Sequence, residues 1–266
     1  MPDAHTPFFL AILASLLCCS LFAAAPVKIL FDTDMHTDCD DAGAMAVLHA
    51  LADNGECEII ATVVSSRDPW APATVDAINT YYGRPDLPIG IVKGQGVLEK
   101  SKFTRRVGEE FPNDFKPGAE VPDALSVYRD TLERQPDGTV VVVTVGYLTN
   151  LKNLLHVPAA DGHVNGMDLI RRKVKTWVCM GGNFVGHPPS DDLKLGNVNF
   201  QRDAPSAFEV IHHWPTPVVF VGREIGSVPA DFRSAQTSQR RPPRIPCGEP
   251  IFSTLTESRT AATSRT

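Results

Sequence analysis

No Cys-x-x-Cys pair occurs anywhere in the chain, which removes the spacing that most zinc-binding and dithiol sites use. Of the six cysteines, Cys18 and Cys19 lie in an apolar leader, and Cys39, Cys57, Cys179 and Cys247 lie beyond it. Cys39 and Cys179 read as small buried residues near strand ends. An oxidising compartment permits a disulfide, but the sequence selects no pair. Positive charge is also scarce: 25 Lys and Arg face 31 Asp and Glu, a formal net charge of -6 at pH 7. That balance argues against a nucleic-acid backbone as partner. Long apolar runs are missing except at residues 8–25, and that run is short for a membrane span. The remaining composition, 43% hydrophobic with few charge runs, is that of a soluble enzyme large enough for one α/β domain.

Residues 8–25 end in small side chains and read as the apolar core of a secretory leader cut near Ala25. Two features stand against that reading: residues 1–6 hold no Lys or Arg, and Pro26 would follow the cut. A lipoprotein leader fits poorly, because bulky Leu17 precedes Cys18. The expectation is export to the periplasm or the extracellular space, with no membrane contact once residues 1–25 are removed.

The chemistry concentrates in one stretch. Asp32, Asp34, Asp38, Asp40 and Asp41 place five carboxylates within ten residues, after an apolar run at 27–31 and before a helical pattern at about 41–53. Strand, acidic loop and helix follow in that order, and ligands of open α/β sheets collect at such strand ends. A structural account has Asp38 capping the helix, with Asp40 and Asp41 favoured in its first turn by the helix dipole. It leaves Asp32 and Asp34 unexplained, two apart and so on one face of the strand end. Crowded like charges are relieved by a bound cation or by raised pKa values. Oxygen ligands favour a hard cation, calcium before magnesium.

Further along, Cys57–Val64 reads as a buried parallel strand, about 73–82 as a helix and 87–92 as a short strand. The β-α-β-α-β pattern predicts a parallel sheet. Trp70 is placed either to stack on a base or simply to pack in its loop. Residues 94–121 read as a long surface loop, of the kind that often forms a lid. Its Lys100, Lys102, Arg105 and Arg106 read as a solvated face and not as a phosphate site. Ala124–Arg134 is helical, 139–145 is the clearest strand, Val174–Met180 is another, Ala204–His213 is a helix and 217–221 a strand.

Asp32-Thr33-Asp34, followed by Asp38-Cys39-Asp40-Asp41-Ala42, resembles the N-terminal aspartate signature of the nucleoside hydrolases, the inosine/uridine-preferring N-ribohydrolases. The usual loop is two residues shorter, and the longer form with an extra Asp resembles a secreted bacterial branch. Gly146-Tyr147-Leu148-Thr149-Asn150 is similar to the family's second signature. Met180-Gly181-Gly182-Asn183 and Asn197-Val198-Asn199-Phe200, with Asp203-Ala204-Pro205, are similar to later segments. The resemblance implies a three-layer, mostly parallel open sheet, Rossmann-like, over residues 26–232. It also implies calcium-dependent hydrolysis of the N-glycosidic bond of ribonucleosides. Asp34, Asp41 and the backbone carbonyl of Val145 would hold Ca2+, with Asp38 adding to the shell, and Asp40 would be the general base. Asn183, Asn197, Asn199 and Ser66 would contact the ribose. Ser66 stands near the usual Asn, and Asn197 stands where the family usually has Glu. His36 is an alternative proton donor or simply a solvated loop residue. The partner implied is a small-molecule nucleoside, and self-association as a homo-oligomer is common in the family.

The likeness fades after about Phe232. Residues 234–266 hold no Asp or His, and Arg240, Arg241, Arg244, Arg259 and Arg265 stand among Ser, Thr and Pro. That composition suits disorder. The expectation for 233–266 is an aberrant tail, truncated or frame-shifted, that lacks one family metal ligand. Two rivals remain: a catalytically impaired exported nucleoside- or sugar-binding remnant, and a phosphatase of the haloacid dehalogenase type, which shares Asp-x-Asp after a strand.

Overall fold

A computed structural model describes residues 25–36, 38–99, 101–115, 119–160, 162–184 and 197–226. The leader at 1–24, Lys100 and the tail at 233–266 lie outside the described residues. Among the described residues, six strands form one parallel sheet in the order β3-β2-β1-β4-β5-β6. They are β1 (Val27–Thr33), β2 (Cys57–Val64), β3 (Ile89–Ile91), β4 (Val140–Thr144), β5 (Val174–Met180) and β6 (Val218–Val221). The helices are α1 (Asp40–Asp53), α2 (Ala71–Tyr81), α3 (Thr104–Glu110), α4 (Ala124–Arg134), α5 (Thr149–His156), α6 (Gly166–Lys173), α7 (Val198–Arg202), α8 (Ala204–His213) and α9 (Arg223–Gly226). No helix among them is long and apolar enough to cross a membrane.

Alternation along the strands separates two cores. Leu30, Val63, Val142, Trp177 and Cys179 pack with α4, α5, α6 and α8 on one face. Phe31, Ile59 and Val64 pack with α1, α2 and α3 on the other. Strands covered on both sides need apolar residues at nearly every position, which is why β2 and β4 are β-branched runs. β1 leads outward to β2 and β3; the chain then returns to lay β4 on the other side of β1. Strand order reverses there, and the loops leaving β1 and β4 diverge to open a crevice. The acidic loop follows β1, and Val145 and Gly146 follow β4, so both flank this crevice.

The strand and helix expectations hold with small boundary shifts, and four readings need correction. The stretch 94–121 is not loop throughout. It carries α3, whose Val107 and Gly108 are buried, and a Cβ on Gly108 would come within 2.9 Å of Ala73 Cβ. α6 was not anticipated. Its start is fixed by Asn165, whose Oδ1 accepts from Asp168 N at 2.9 Å while its Nδ2 donates to Asp168 Oδ2 at 2.7 Å. Cys39 is exposed, because it stands at the solvent side of the α1 N-terminus; Cys179 is buried as expected, and Cys39, Cys57 and Cys179 are free thiols. Asp38 does not cap α1: the N-cap is Cys39, which makes no side-chain cap hydrogen bond.

Candidate active site

The end of β1 is bent into place by its own side chains. Met35 has φ 44°, in the left-handed region that costs a side-chain-bearing residue energy. Its N–H donates to Thr33 Oγ1 at 3.0 Å, and that hydroxyl donates in turn to Asp41. Met35 is thereby buried in the core, while its neighbours Asp34 and His36 line a cavity. Across the crevice, Val145 N donates to Asp32 O at 2.9 Å. Gly146 lies so close to Asp34 that a Cβ there would come within 2.4 Å of the Asp34 nitrogen. Only glycine lets the two strand ends approach this far.

The cavity has a volume of about 380 Å³. Asp34, Asp38, Asp40 and Asp41 form one wall; Val145, Met180, Asn197 and Asn199 stand among its other lining residues. Carboxylate oxygens of Asp38, Asp40 and Asp41 come within 4.8 Å of one another. Asp34 joins them by a hydrogen bond with Asp41. Burial and then Asp41 push Asp34 well above the usual carboxylate range. Burial, reinforced by Asp40, raises Asp41 to about 7, and burial followed by Asp38 raises Asp40. Two buried carboxyls that share a hydrogen bond must hold a proton between them. A hard cation in the same place satisfies both and removes the repulsion. The donor set therefore fits a divalent ion bound by oxygen.

Asp32, although in the motif, is not part of this wall. It is fully buried and accepts from Tyr128 Oη at 2.8 Å and Asn150 Nδ2 at 3.2 Å, and burial raises it to about 7. It ties β1 to α4 and α5. Asn150 of the second signature thus serves the first, and Leu148 N and Thr149 Oγ1 of that signature donate to Asp203 Oδ2 at 3.0 and 2.8 Å.

The proposed sugar contacts divide. Asn199 Nδ2 donates to Val145 O at 2.9 Å, which leaves that carbonyl one free lone pair. Asn197 Oδ1 accepts from Phe200 N at 3.1 Å and caps α7, so its acceptor is partly committed to the backbone. Asn183 and Ser66 do not line the cavity. Ser66 is fully buried, held by a bridge to Val97, and its Oγ has no hydrogen-bond partner. Trp70 is not among the lining residues either.

The sequence reading named His36, as a proton donor or a solvated residue, but missed the rest of the rim; His36 is buried. His36 Nε2 stands 2.7 Å from Glu99 Oε2, and Arg202 pairs with the same carboxylate. Tyr147, Arg202 and Arg223 line the cavity beside them. Burial lowers the pKa of His36, against the pull of Glu99. Tyr147 was legible as the variable residue of Gly146-Tyr147-Leu148. Glu99 and Arg202 are far apart in sequence, and no local pattern joins them.

The profile of the inosine-uridine preferring nucleoside hydrolases matches residues 29–262. The chain belongs to that family. The matched region reaches past Phe232 into the tail that the sequence reading had set apart. Solved structures similar to the chain include the effector protein XOO4466, with 19% identity and a TM-score of 0.64 over 97% of this chain and 71% of that one. The type III effector protein XopQ, solved with adenosine diphosphate ribose, shares 19% identity at a TM-score of 0.58 over 82% of this chain and 61% of that one. A plant nucleoside hydrolase, PpNRh1, shares 23% identity at a TM-score of 0.54 over 75% and 60% respectively. The chain spans about three fifths of the last two proteins. No curated protein matches. These likenesses establish the nucleoside hydrolase fold.

Proposed function

We propose that the cavity between β1 and β4 hydrolyses the N-glycosidic bond of ribonucleosides with the help of Ca2+. The observation that carries this reading is the wall of four carboxyls, two of them buried and sharing a proton, opposite a backbone carbonyl at the switch point of the sheet. Asp34, Asp41, Asp38 and the Val145 carbonyl would hold the ion. Calcium supplies positive charge that makes a nearby water more acidic.

The chain's own groups do the rest. Asp40 is exposed beside the buried Asp34 and Asp41 and takes a proton from the attacking water. Its raised pKa brings it nearer to operating pH, where a general base is most effective. Asn199 and Asn197 hold ribose hydroxyls with their amides; the Asn199 amide is already oriented by Val145. Asn183 and Ser66, which stand away from the cavity, take part only if the loops around them rearrange. The sugar develops oxocarbenium character as the base leaves. The pairing of a phosphatase-like Asp-x-Asp with three further acids and the family match favours glycoside hydrolysis over the phosphatase alternative.

The test is ribose release from a panel of nucleosides, with calcium or chelator, by the chain and by Asp40→Asn. The expected result is chelator-sensitive release that falls at least about 100-fold in the variant with no loss of fold. Equal release by both proteins would remove Asp40 from its role, and release that ignores chelator would remove the ion.

A further inference from the structure

The larger of the two cavities described is not the acidic one. A second cavity of about 610 Å³ opens beyond the ends of β2 and β3, and it shares no lining residue with the first. Its size is in the range of small-molecule sites. The chemistry of its wall is opposite in sign. Arg67 and Lys93 contribute two exposed cations that have no carboxylate partner among the described residues, and among those residues Glu120 is the only acid that lines it. Trp70, Phe115, Ile91 and Val92 supply an apolar and aromatic surface.

The wall is held in place from behind. Arg67 N donates to Val97 O at 2.8 Å, and the Arg67 stem lies where a Cβ on Gly96 would meet it at 3.2 Å. Trp70 N donates to Asp68 Oδ1 at 3.0 Å, and the other oxygen of Asp68 accepts from Thr104 Oγ1 at 2.6 Å. The indole rests against Gly108, under the Arg105 guanidinium at 5.8 Å from the ring centre. On the far side, Asp114 N donates to Asp76 Oδ2 at 2.6 Å, which anchors the segment that carries Phe115. Ile91 N and Val92 N are bonded to Pro122 O and Val64 O, each at 2.9 Å. The backbones of Arg67, Trp70, Ile91 and Val92 are thus held by hydrogen bonds.

We propose that this cavity binds a small aromatic ring carrying a phosphate, of the size of a nucleoside monophosphate, at a site separate from the acidic one. The ring lies against Trp70, and the dianion sits between Arg67 and Lys93. Stacking on an indole takes any planar ring, and a pair of unpaired cations selects for the charged group. Nucleosides without phosphate, which suit the acidic cavity, lack the anion that this one is built to hold.

The experiment follows the Trp70 indole N–H in a nitrogen–proton NMR spectrum of the full chain, assigned with Trp70→Phe. AMP, adenosine and inorganic phosphate are titrated separately in chelator, so that the acidic site holds no divalent ion. AMP is expected to shift the Trp70 signal saturably, with adenosine and phosphate each at least about tenfold weaker. Arg67→Glu with Lys93→Glu, both at exposed positions and checked for an unchanged melting point, should weaken AMP at least about tenfold and leave adenosine unchanged. Asp40→Asn should leave AMP binding intact. No saturable shift with AMP overturns the proposal. So do equal binding by the charge-reversed variant, competition by phosphate as strong as AMP, and loss of AMP binding in Asp40→Asn.

Discussion

Gly146 carries a constraint beside the acidic cavity that a single added methyl group can test. A methyl group there meets backbone, not a flexible side chain, 2.4 Å from Asp34 N. Gly146→Ala should therefore push the β1 and β4 ends apart, lower stability by about 1–3 kcal/mol and weaken calcium binding in the same variant. A melt and a calcium titration on one sample would check both. Tyr128 makes a second residue-scale case. Its hydroxyl donates to Asp32 where both groups are fully buried. Tyr128→Phe keeps the ring and removes the donor, so Asp32 is left with Asn150. The expected cost is about 1–3 kcal/mol, read as a lower denaturation midpoint with an unchanged slope. Spacing alone marked Asp32 as one of five acids; the family resemblance gave roles to the other four and none to it. Its partners come from 96 and 118 residues away, and only packing could assign it to scaffold instead of site.

A polar knot joins α1, β2 and α2 at the scale of elements. His49 Nε2 and Asn79 Oδ1 lie 3.0 Å apart, and Asn79 Nδ2 donates to Thr62 Oγ1 at 3.0 Å. Arg84 approaches His49 Nδ1 at 3.3 Å. A guanidinium only donates, so Nδ1 is the acceptor and Nε2 carries the proton. The ring is neutral, and burial drives its pKa down to about 4. A base with a depressed folded-state pKa takes up its proton more readily when unfolded. Stability is then complete above the ordinary histidine value and declines as pH falls from about 6.5 toward 4. In His49→Gln that part of the acid-side decline should be absent from a series of thermal melts. The short elements explain most of what sequence reading missed at this scale. α3 and α7 have seven and five residues, too few for a periodic pattern to emerge. α6 did carry a signal, in the Asn165-to-Asp168 spacing that closes its first turn.

For the whole molecule, the governing quantity is the concentration of acid at the crevice. Asp32 and Asp41 both titrate near 7 in the fold, against about 4 in the open chain. A carboxyl raised in this way binds its proton more tightly when folded, so in the ion-free protein these two carboxyls stabilise the fold most in acid and lose that contribution as pH rises from about 4 to 7, outweighing the single opposed contribution of His49. Melts in chelator should therefore fall across that range. Calcium should reverse the share of the fall that belongs to Asp41 and not that of Asp32, by about 2.7 kcal/mol at neutral pH when the free ion is 100-fold above its dissociation constant. A flat profile in chelator, or calcium that leaves the melting point unchanged, would contradict this account of the acidic wall.

The amino-acid order alone determined the strands, most of the helices, the parallel sheet and the strand end at which the acids gather. These follow from local facts: apolar runs long enough to be buried on both faces, and like charges too close in sequence to be kept apart. It could not determine that Asp32 is held by Tyr128 and Asn150, that Asn197 caps a helix, that Glu99 closes the rim with His36 and Arg202, or that a second cavity of opposite charge lies beside the first. Each of these depends on residues brought together from distant parts of the chain by the reversal of strand order at β1 and β4. Periodicity reports on neighbours along the backbone and has no access to such pairs.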